Sequence, residues 1–520
     1  MPQILSDRII FDVNDWLGGM IAPIATGTGA IRILGEQGHA FHSNYNPVDS
    51  VHDIPGVAAS GPGNTDLTNV DSNSPLSIII DGVVDGTSSV NKAYGLNGSQ
   101  VEEWNTSSDA LTVSGGTFPH AITPHGHSSL STFGCQLVPY NQSDTRKLFY
   151  SWSDGTDWDV GTFDYTSTFD DDFMSTVPTT PIAGADLTDG DSVPHPLFRS
   201  SQDDLLYMGS LRYVHYYDGL NNTFTSQAFD MGSGWRCIGF QETQYDLVIF
   251  AGESTSTTNE VNRCRAFFWD QSRPSSAYKI LDIDAYRISA PFRYKGTIGC
   301  FGTGPDNSEY IYLYDGNEFV KVAEYDGAGN LPVNGGVTVH NGLLKFMAGG
   351  KIYSWGKYKN LLPPPTNPYH IATLGGTGNG LCKQLFANRV YMSSEAGELV
   401  KFANFGQGSV ATRTAYPNFP KGMKGKVKQV DVEFAQTTTA AKDTVDIDLQ
   451  EDLTVVNLVS SFTSATQTKM KFLRDENGNP FKVFTGLSAI LTWNAGAAST
   501  DSPAIKRITV WYDPVSDATA

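Results

Sequence analysis

Three groups of residues in this chain have types and spacings that could do chemistry. Histidine forms the first: Pro119-His120-Ala121-Ile122-Thr123-Pro124-His125-Gly126-His127 holds three of the ten His. In an extended run His125 and His127 would share one face, as two imidazoles on a metal must. No Cys or acid lies nearby in sequence to complete a ligand set, so polar loop or strand histidines are the competing reading. Carboxylates form the second: Asp154, Asp157, Asp159 and Asp164, then Asp170-Asp171-Asp172, then Asp186, Asp189 and Asp191. Oxygen ligands on Gly-containing loops could cage Ca²⁺, with Asp154, Asp157 and Asp159 as the candidate metal ligands. Their spacing is not that of an EF-hand loop, and a solvated acidic loop has the same composition. Aromatics form the third: Trp104, Trp158 and Tyr369, if exposed on loops, could stack on sugars, Trp104 and Trp158 being the candidate glycan platforms. Generic packed aromatics are the alternative.

None of these groups amounts to a catalytic apparatus. Ser151-Trp152-Ser153-Asp154-Gly155-Thr156-Asp157-Trp158 resembles the Asp-box hairpin of sialidase-type propellers, but Ser153 stands where the box has Asp, and no second copy follows. No Gly-x-Ser-x-Gly, P-loop or His-Glu-x-x-His motif occurs, and no carboxylate pair for glycoside hydrolysis stands out among 55 acids. The expectation is a protein that is not an enzyme and carries no cofactor.

The chain of 520 residues is 40% hydrophobic and only 17% charged, with 52 Gly and 26 Pro. That balance excludes disordered, collagen-like and coiled-coil classes. A net charge of −20 argues against a protein that grips nucleic acid or an anionic membrane surface. It is compatible with a wall along which DNA slides. The five Cys (Cys135, Cys237, Cys264, Cys300 and Cys382) are never within four residues of one another, so they read as buried free thiols. The first residues lack the basic start and apolar run of a signal peptide, and no uncharged apolar stretch is long enough for a membrane helix.

Helical periodicity is almost absent, and short apolar or alternating runs bounded by turn residues dominate. Seven Asp-Gly and five Asn-Gly pairs mark hairpin turns that need positive φ. A degenerate repeat of an apolar strand and a second strand ending in an aromatic recurs at Leu76–Trp104, Leu148–Phe163, Leu205–Phe224, Asp246–Asp270, Gly296–Phe319, Gly342–Trp355 and Asn388–Phe402. Its later spacing, about 40–50 residues, is that of a four-stranded propeller blade; the longer early spacings require insertions or a hidden blade. The expected fold is all-β. It comprises an extended N-terminal arm at 1–75, a β-propeller of about seven blades at 76–405, a linker at 406–425 and a C-terminal β-sandwich at 426–520. The arm serves as a closing strand or as a strap onto a neighbour, with Trp16 and Leu17 of Asp15-Trp16-Leu17-Gly18-Gly19 as assembly contacts. Deleting residues 1–60 is expected to spare folding and abolish assembly.

This organisation, ending in Ile505-Lys506-Arg507-Ile508-Thr509-Val510-Trp511-Tyr512, resembles the tail hub or nozzle proteins of short-tailed bacteriophages. Leu148–Gly155 through Asp170-Asp171-Asp172-Phe173-Met174 is also similar to virion structural proteins of marine tailed phages. The resemblance implies a ring at the end of the tail through which DNA leaves. Its partners would be other tail proteins and copies of itself, with DNA only in passage and no membrane insertion. It would be made in the host cytoplasm and reside in the virion tail. A receptor- or carbohydrate-binding propeller at the tail tip, contacting a host-surface glycan, is the alternative, and a glycoside-cleaving propeller is a third.

Overall fold

The computed structural model describes, by their pairing, the strands within 9–113 and 369–414 and leaves the segments between those strands undescribed. It describes side chains as well over 136–356 and 424–513, apart from several loop segments. The chain is all-β, built from several four-stranded antiparallel sheets. In chain order we name the four-stranded sheets I (76–113), II (137–170), III (197–230), IV (235–283), V (287–325), VI (338–373) and VII (382–405 with Pro62–Asn69). Four of the repeat units fall on the second and third strands of one sheet each, Leu205–Phe224 and Gly296–Phe319 also reach the start of the fourth, and Leu76–Trp104 spans the first three strands of sheet I. The long early spacings are insertions: 114–136 separates sheets I and II, and 171–196, with the short helix Phe173–Thr176, separates II and III.

The second strands explain why simple alternation fails as a guide. Leu206–Ser210, the first five residues of Leu247–Glu253, and Leu343–Ala348 are buried at every position. Each such strand has two covered faces, so it reads as an unbroken apolar run. In sheet IV, Leu247, Ile249 and Ala251 pack toward sheet III, beside Tyr207, Val214 and Phe229. Val248 and Phe250 pack toward sheet V, beside Ile288, Ile298 and Cys300. The same exchange joins V to VI, where the Phe301 and Phe346 rings lie 4.6 Å apart, and II to III. Burying each such side chain contributes about 1.5–3 kcal/mol. The fourth strands, such as Lys279–Ile283, alternate between buried or half-buried and exposed residues, as an outer edge should. First strands touch from I to II, II to III, III to IV, IV to V, VI to VII and VII back to I.

Crowding accounts for glycine at strand centres, between sheets at Gly209, where a Cβ would sit 2.5 Å from Cys237 Sγ of sheet IV, and between neighbouring strands of one sheet at Gly299. A Cβ on Gly299 would sit 2.4 Å from the Tyr312 carbonyl oxygen, a backbone atom of the next strand that has no rotamer to escape into. Most described Asp-Gly and Asn-Gly pairs make turns; Asn341-Gly342 joins the first two strands of sheet VI with Gly342 at φ 78°. Asp81-Gly82 is different. It lies inside Leu76–Val84, at a register shift between Ile80 and Val83, so it marks a bulge rather than a hairpin.

Two further sheets involve both ends of the chain. Sheet VIII has the order Ile9–Val13, Ala504–Ser516, Met423–Gln436, Lys469–Phe472, with Val483–Phe484 added on Met423–Gln436. Sheet IX has the order Met20–Ile21, His39–Phe41, Val410–Thr414, Leu487–Asn494, Thr444–Glu451, Thr454–Phe462. They share one core. Val430, Val432, Ile508 and Val510 come from sheet VIII, and Val445, Ile447, Leu491 and Trp493 from sheet IX. A bulge between Val427 and Gln429 shifts the long strand by one residue. Gly425 and Val427 are therefore buried before it, and Val430, Val432 and Phe434 after it.

The first 75 residues, expected as an extended arm, contribute strands to this chain's own sheets. Ile9–Val13 pairs antiparallel with Ala504–Ser516, and His39–Phe41 pairs with Val410–Thr414. Pro62–Asn69 supplies the fourth strand of sheet VII. Val410–Thr414, inside the expected linker, also pairs with Leu487–Asn494. Deleting residues 1–70 therefore removes strand partners from three sheets. The shortened chain should lose solubility or melt far below the full chain in circular dichroism, instead of folding normally. A second prediction concerns Gly299→Ala, which should cost about 1–3 kcal/mol through overpacking, read as a lower urea midpoint.

Candidate functional site

Of the glycan and Ca²⁺ candidates singled out from the sequence, Trp158, Asp157 and Asp159 have described side chains. Trp158 is 1% exposed and cannot reach a glycan; its indole stacks on His195 at 4.6 Å between sheets II and III. It opens the third strand of sheet II, and a third strand flanked by two sheets has no outward face. The packed-aromatic reading replaces the platform reading for this residue. Trp104 lies on the third strand of sheet I, paired with Ala93 and Val113, and Tyr369 on the fourth strand of sheet VI; both are on strands rather than loops. Their side chains lie outside the described residues, as do Trp16, Leu17, Asp154 and the histidines at 120, 125 and 127.

Of the remaining Ca²⁺ candidates, Asp157 is exposed and Asp159 is 2% exposed. Among the described residues no group of three or more His, Cys, Asp or Glu could hold a metal ion. Asp159 accepts a hydrogen bond from its neighbour Val160 N at 2.6 Å. Burial pushes its carboxyl up to about 7, partly countered by a hydrogen bond with the Ser175 side chain. The following acids serve local structure: the Tyr150 hydroxyl donates to Asp171 Oδ1, Trp152 Nε1 to the Asp171 carbonyl at 2.8 Å, and Thr176 Oγ1 to the Asp172 carbonyl at 2.7 Å. Cys237, Cys264 and Cys300 are buried free thiols, and burial raises the pKa of each.

Side-chain amides tie the first strands of neighbouring sheets. Asn334 Nδ2 donates to the Ile238 carbonyl of sheet IV at 2.7 Å, and its Oδ1 accepts from Ala290 N of sheet V at 2.7 Å. Gln136, at the entrance to sheet II, accepts from Leu197 N of sheet III at 2.9 Å. A Cβ built on Gly335 would lie 3.2 Å from Gln136 Nε2, so the segment before sheet VI reaches the start of sheet II. Asn334 thus ties sheets IV and V, Gln136 ties II to III, and the two segments meet at Gly335.

A groove on the outer face of sheet VIII was not legible as a site in the sequence. It is a shallow depression of about 400 Å³ on the side of the sheet away from the shared core. Register places Glu433 opposite both Lys469 and Arg507, and Asp431 opposite both Lys471 and Thr509. Gln429 pairs with Trp511 one row further along. Trp511 Nε1 donates to Asp431 Oδ2 at 2.9 Å, and Gln429 Nε2 donates to both Asp431 oxygens at 2.8 Å. Lys506 Nζ approaches Glu433 Oε1 at 3.3 Å and Lys469 Nζ approaches it at 4.0 Å. The only trace in the sequence is alternation: Gln429, Asp431 and Glu433 on one strand, Lys469 and Lys471 on another, Arg507, Thr509 and Trp511 on a third. Strand order, which no single segment encodes, brings these sets together.

No protein-family model matches the sequence, and no curated protein matches it either. Solved structures align with it at low similarity. The extracellular domain of BT4673 from B. thetaiotaomicron aligns at TM-score 0.44 and 9% identity, covering 78% of this chain and 47% of that one. The Dos1 propeller aligns at TM-score 0.37 and 11% identity, covering 70% and 81%. An exo-beta-1,3-galactanase of Phanerochaete chrysosporium aligns at TM-score 0.29 and 11% identity, covering 83% and 95%. This chain thus spans about half the length of the BT4673 domain it matches. Among the described residues no helix is long and apolar enough to cross a membrane.

Asp159 supplies a pH test. Its folded pKa of about 7 lies above the ordinary 3.8, so the native state holds a proton that the unfolded chain releases between those values. Stability linked to this group is therefore full in acid and declines as pH rises from about 4 to 7. Asp159→Asn keeps the oxygen facing Val160 N and removes the buried charge. Its melting temperature should exceed that of the parent at pH 8, with the gain vanishing near pH 4.

Proposed function

We propose that this chain is a non-enzymatic structural protein of a tailed-phage virion, a hub- or nozzle-like component of the tail. Sheets I–VII are the seven blades of one propeller, and sheets VIII and IX are a terminal β-sandwich. The observation that carries this reading is the course of the N-terminal segment. It pairs with the last strand of the chain, then with Val410–Thr414, then completes sheet VII. Both ends are thereby held in strand ladders, where separating the units requires breaking several hydrogen bonds at once. A part that transmits force during tail assembly and DNA ejection needs that kind of tie.

The geometry also narrows how DNA would be accommodated. On this reading the propeller axis is closed by the segment Asn334-Gly335, which is bonded to the first strands of sheets IV and V and reaches Gln136, itself bonded to sheet III. A DNA duct therefore lies between copies of the chain arranged in a ring. The net charge of −20 on each copy then makes the walls of that duct repel phosphates instead of holding them.

Light scattering and negative-stain imaging of the full chain should give closed rings of several copies. Gold-labelled antibody should mark the tail of phage particles that carry the gene. A chain that stays monomeric at every concentration, and an antibody that never labels a tail, would together remove this reading.

A further inference from the structure

We propose that the groove on the outer face of sheet VIII binds an acidic saccharide, a sugar unit bearing a carboxylate. The inference stands on the groove alone and does not depend on the tail reading.

Charge argues for an anionic ligand. The groove gathers Lys469, Lys471 and Arg507 around Asp431 and Glu433, with Lys506 beside Glu433. The lining residues thus hold three cations and two carboxylates, a concentration of positive charge on a chain whose net charge is −20. Lys469, Lys471, Lys506 and Arg507 are all exposed. Asp431 has both oxygens occupied by Trp511 and Gln429, so the ammonium of Lys471, opposite it in the ladder, faces a carboxylate that is already shared.

Shape and hydrogen bonding argue for a sugar. Trp511 is half-buried, and its Nε1–Asp431 bond fixes the indole at the groove, so little side-chain entropy is lost when a ring packs on it. Trp gives a ligand an apolar body beside polar groups, which suits the C–H face of a pyranose. The carboxylates of Asp431 and Glu433 accept hydrogen bonds from hydroxyls, and the flanking cations pair with the sugar carboxylate. An acidic peptide would use the same cations. It has no flat C–H face to lay on the Trp511 indole, which a pyranose has.

The test uses the full chain and isothermal titration calorimetry with trigalacturonate, sialyllactose, neutral maltotriose and poly-L-glutamate. At least one of the two carboxylate sugars should bind, more weakly at high salt, and maltotriose should not. Lys471→Glu and Lys469→Glu, both on exposed side chains, should each weaken that binding roughly tenfold. Trp511→Ala should remove it with the melting curve kept; if that variant does not fold, the two charge reversals decide. Three results would overturn the proposal: binding of neither carboxylate sugar, sugar binding unchanged by both charge reversals, or poly-L-glutamate binding the groove more tightly than either sugar.

Discussion

A strand with two apolar faces must be covered on both sides, and much of this structure follows from that constraint. Leu247, Val248, Ile249, Phe250 and Ala251 are each fully or almost fully buried, and no single partner sheet could cover all five. Odd positions pack on sheet III and even positions on sheet V. The same two-sided burial joins II to III and V to VI, and the first strands of VII and I also touch. Glycine enters where the sheets come closest, and aromatics such as Trp269 and Trp355 fill the space further out.

The terminal sheets meet a different constraint. Sheet VIII has one covered face and one solvated face, so its strands alternate, and the bulge at Val427 and Gln429 resets the alternation without breaking the core. The solvated face is free to carry Trp511 and the charged ladder, since no packing requirement competes there. The N-terminal segment joins the two systems by supplying strands to both, which makes the stability of one sensitive to the other.

The repeats were legible because each apolar run with its trailing aromatic is a local feature of two adjacent strands. The β character of the terminal region was legible for the same reason; Val445, Ile447 and Leu449 alternate as a one-faced strand must and are all buried. Trp158 misled because an aromatic beside Asp-Gly looks like a loop residue, whereas the turn lies before it and the indole begins a strand between two sheets. Asp81-Gly82 misled because the same dipeptide serves a hairpin and a bulge, and only the partner's register tells them apart.

The sequence by itself determined the all-β class, the positions of the strand pairs, the buried thiols at Cys237, Cys264 and Cys300, and the acidic balance, because each depends on side-chain type and spacing over a few residues. Tertiary structure alone decided where the first 75 residues go, that amides from Gln136 and Asn334 tie the first strands of neighbouring sheets, and that Asp431, Lys471 and Trp511 share one groove. Those outcomes depend on which strand lies beside which. Strand adjacency is set by burial and hydrogen bonding between segments up to 500 residues apart, as Ile9 with Tyr512 shows, and no local pattern carries it.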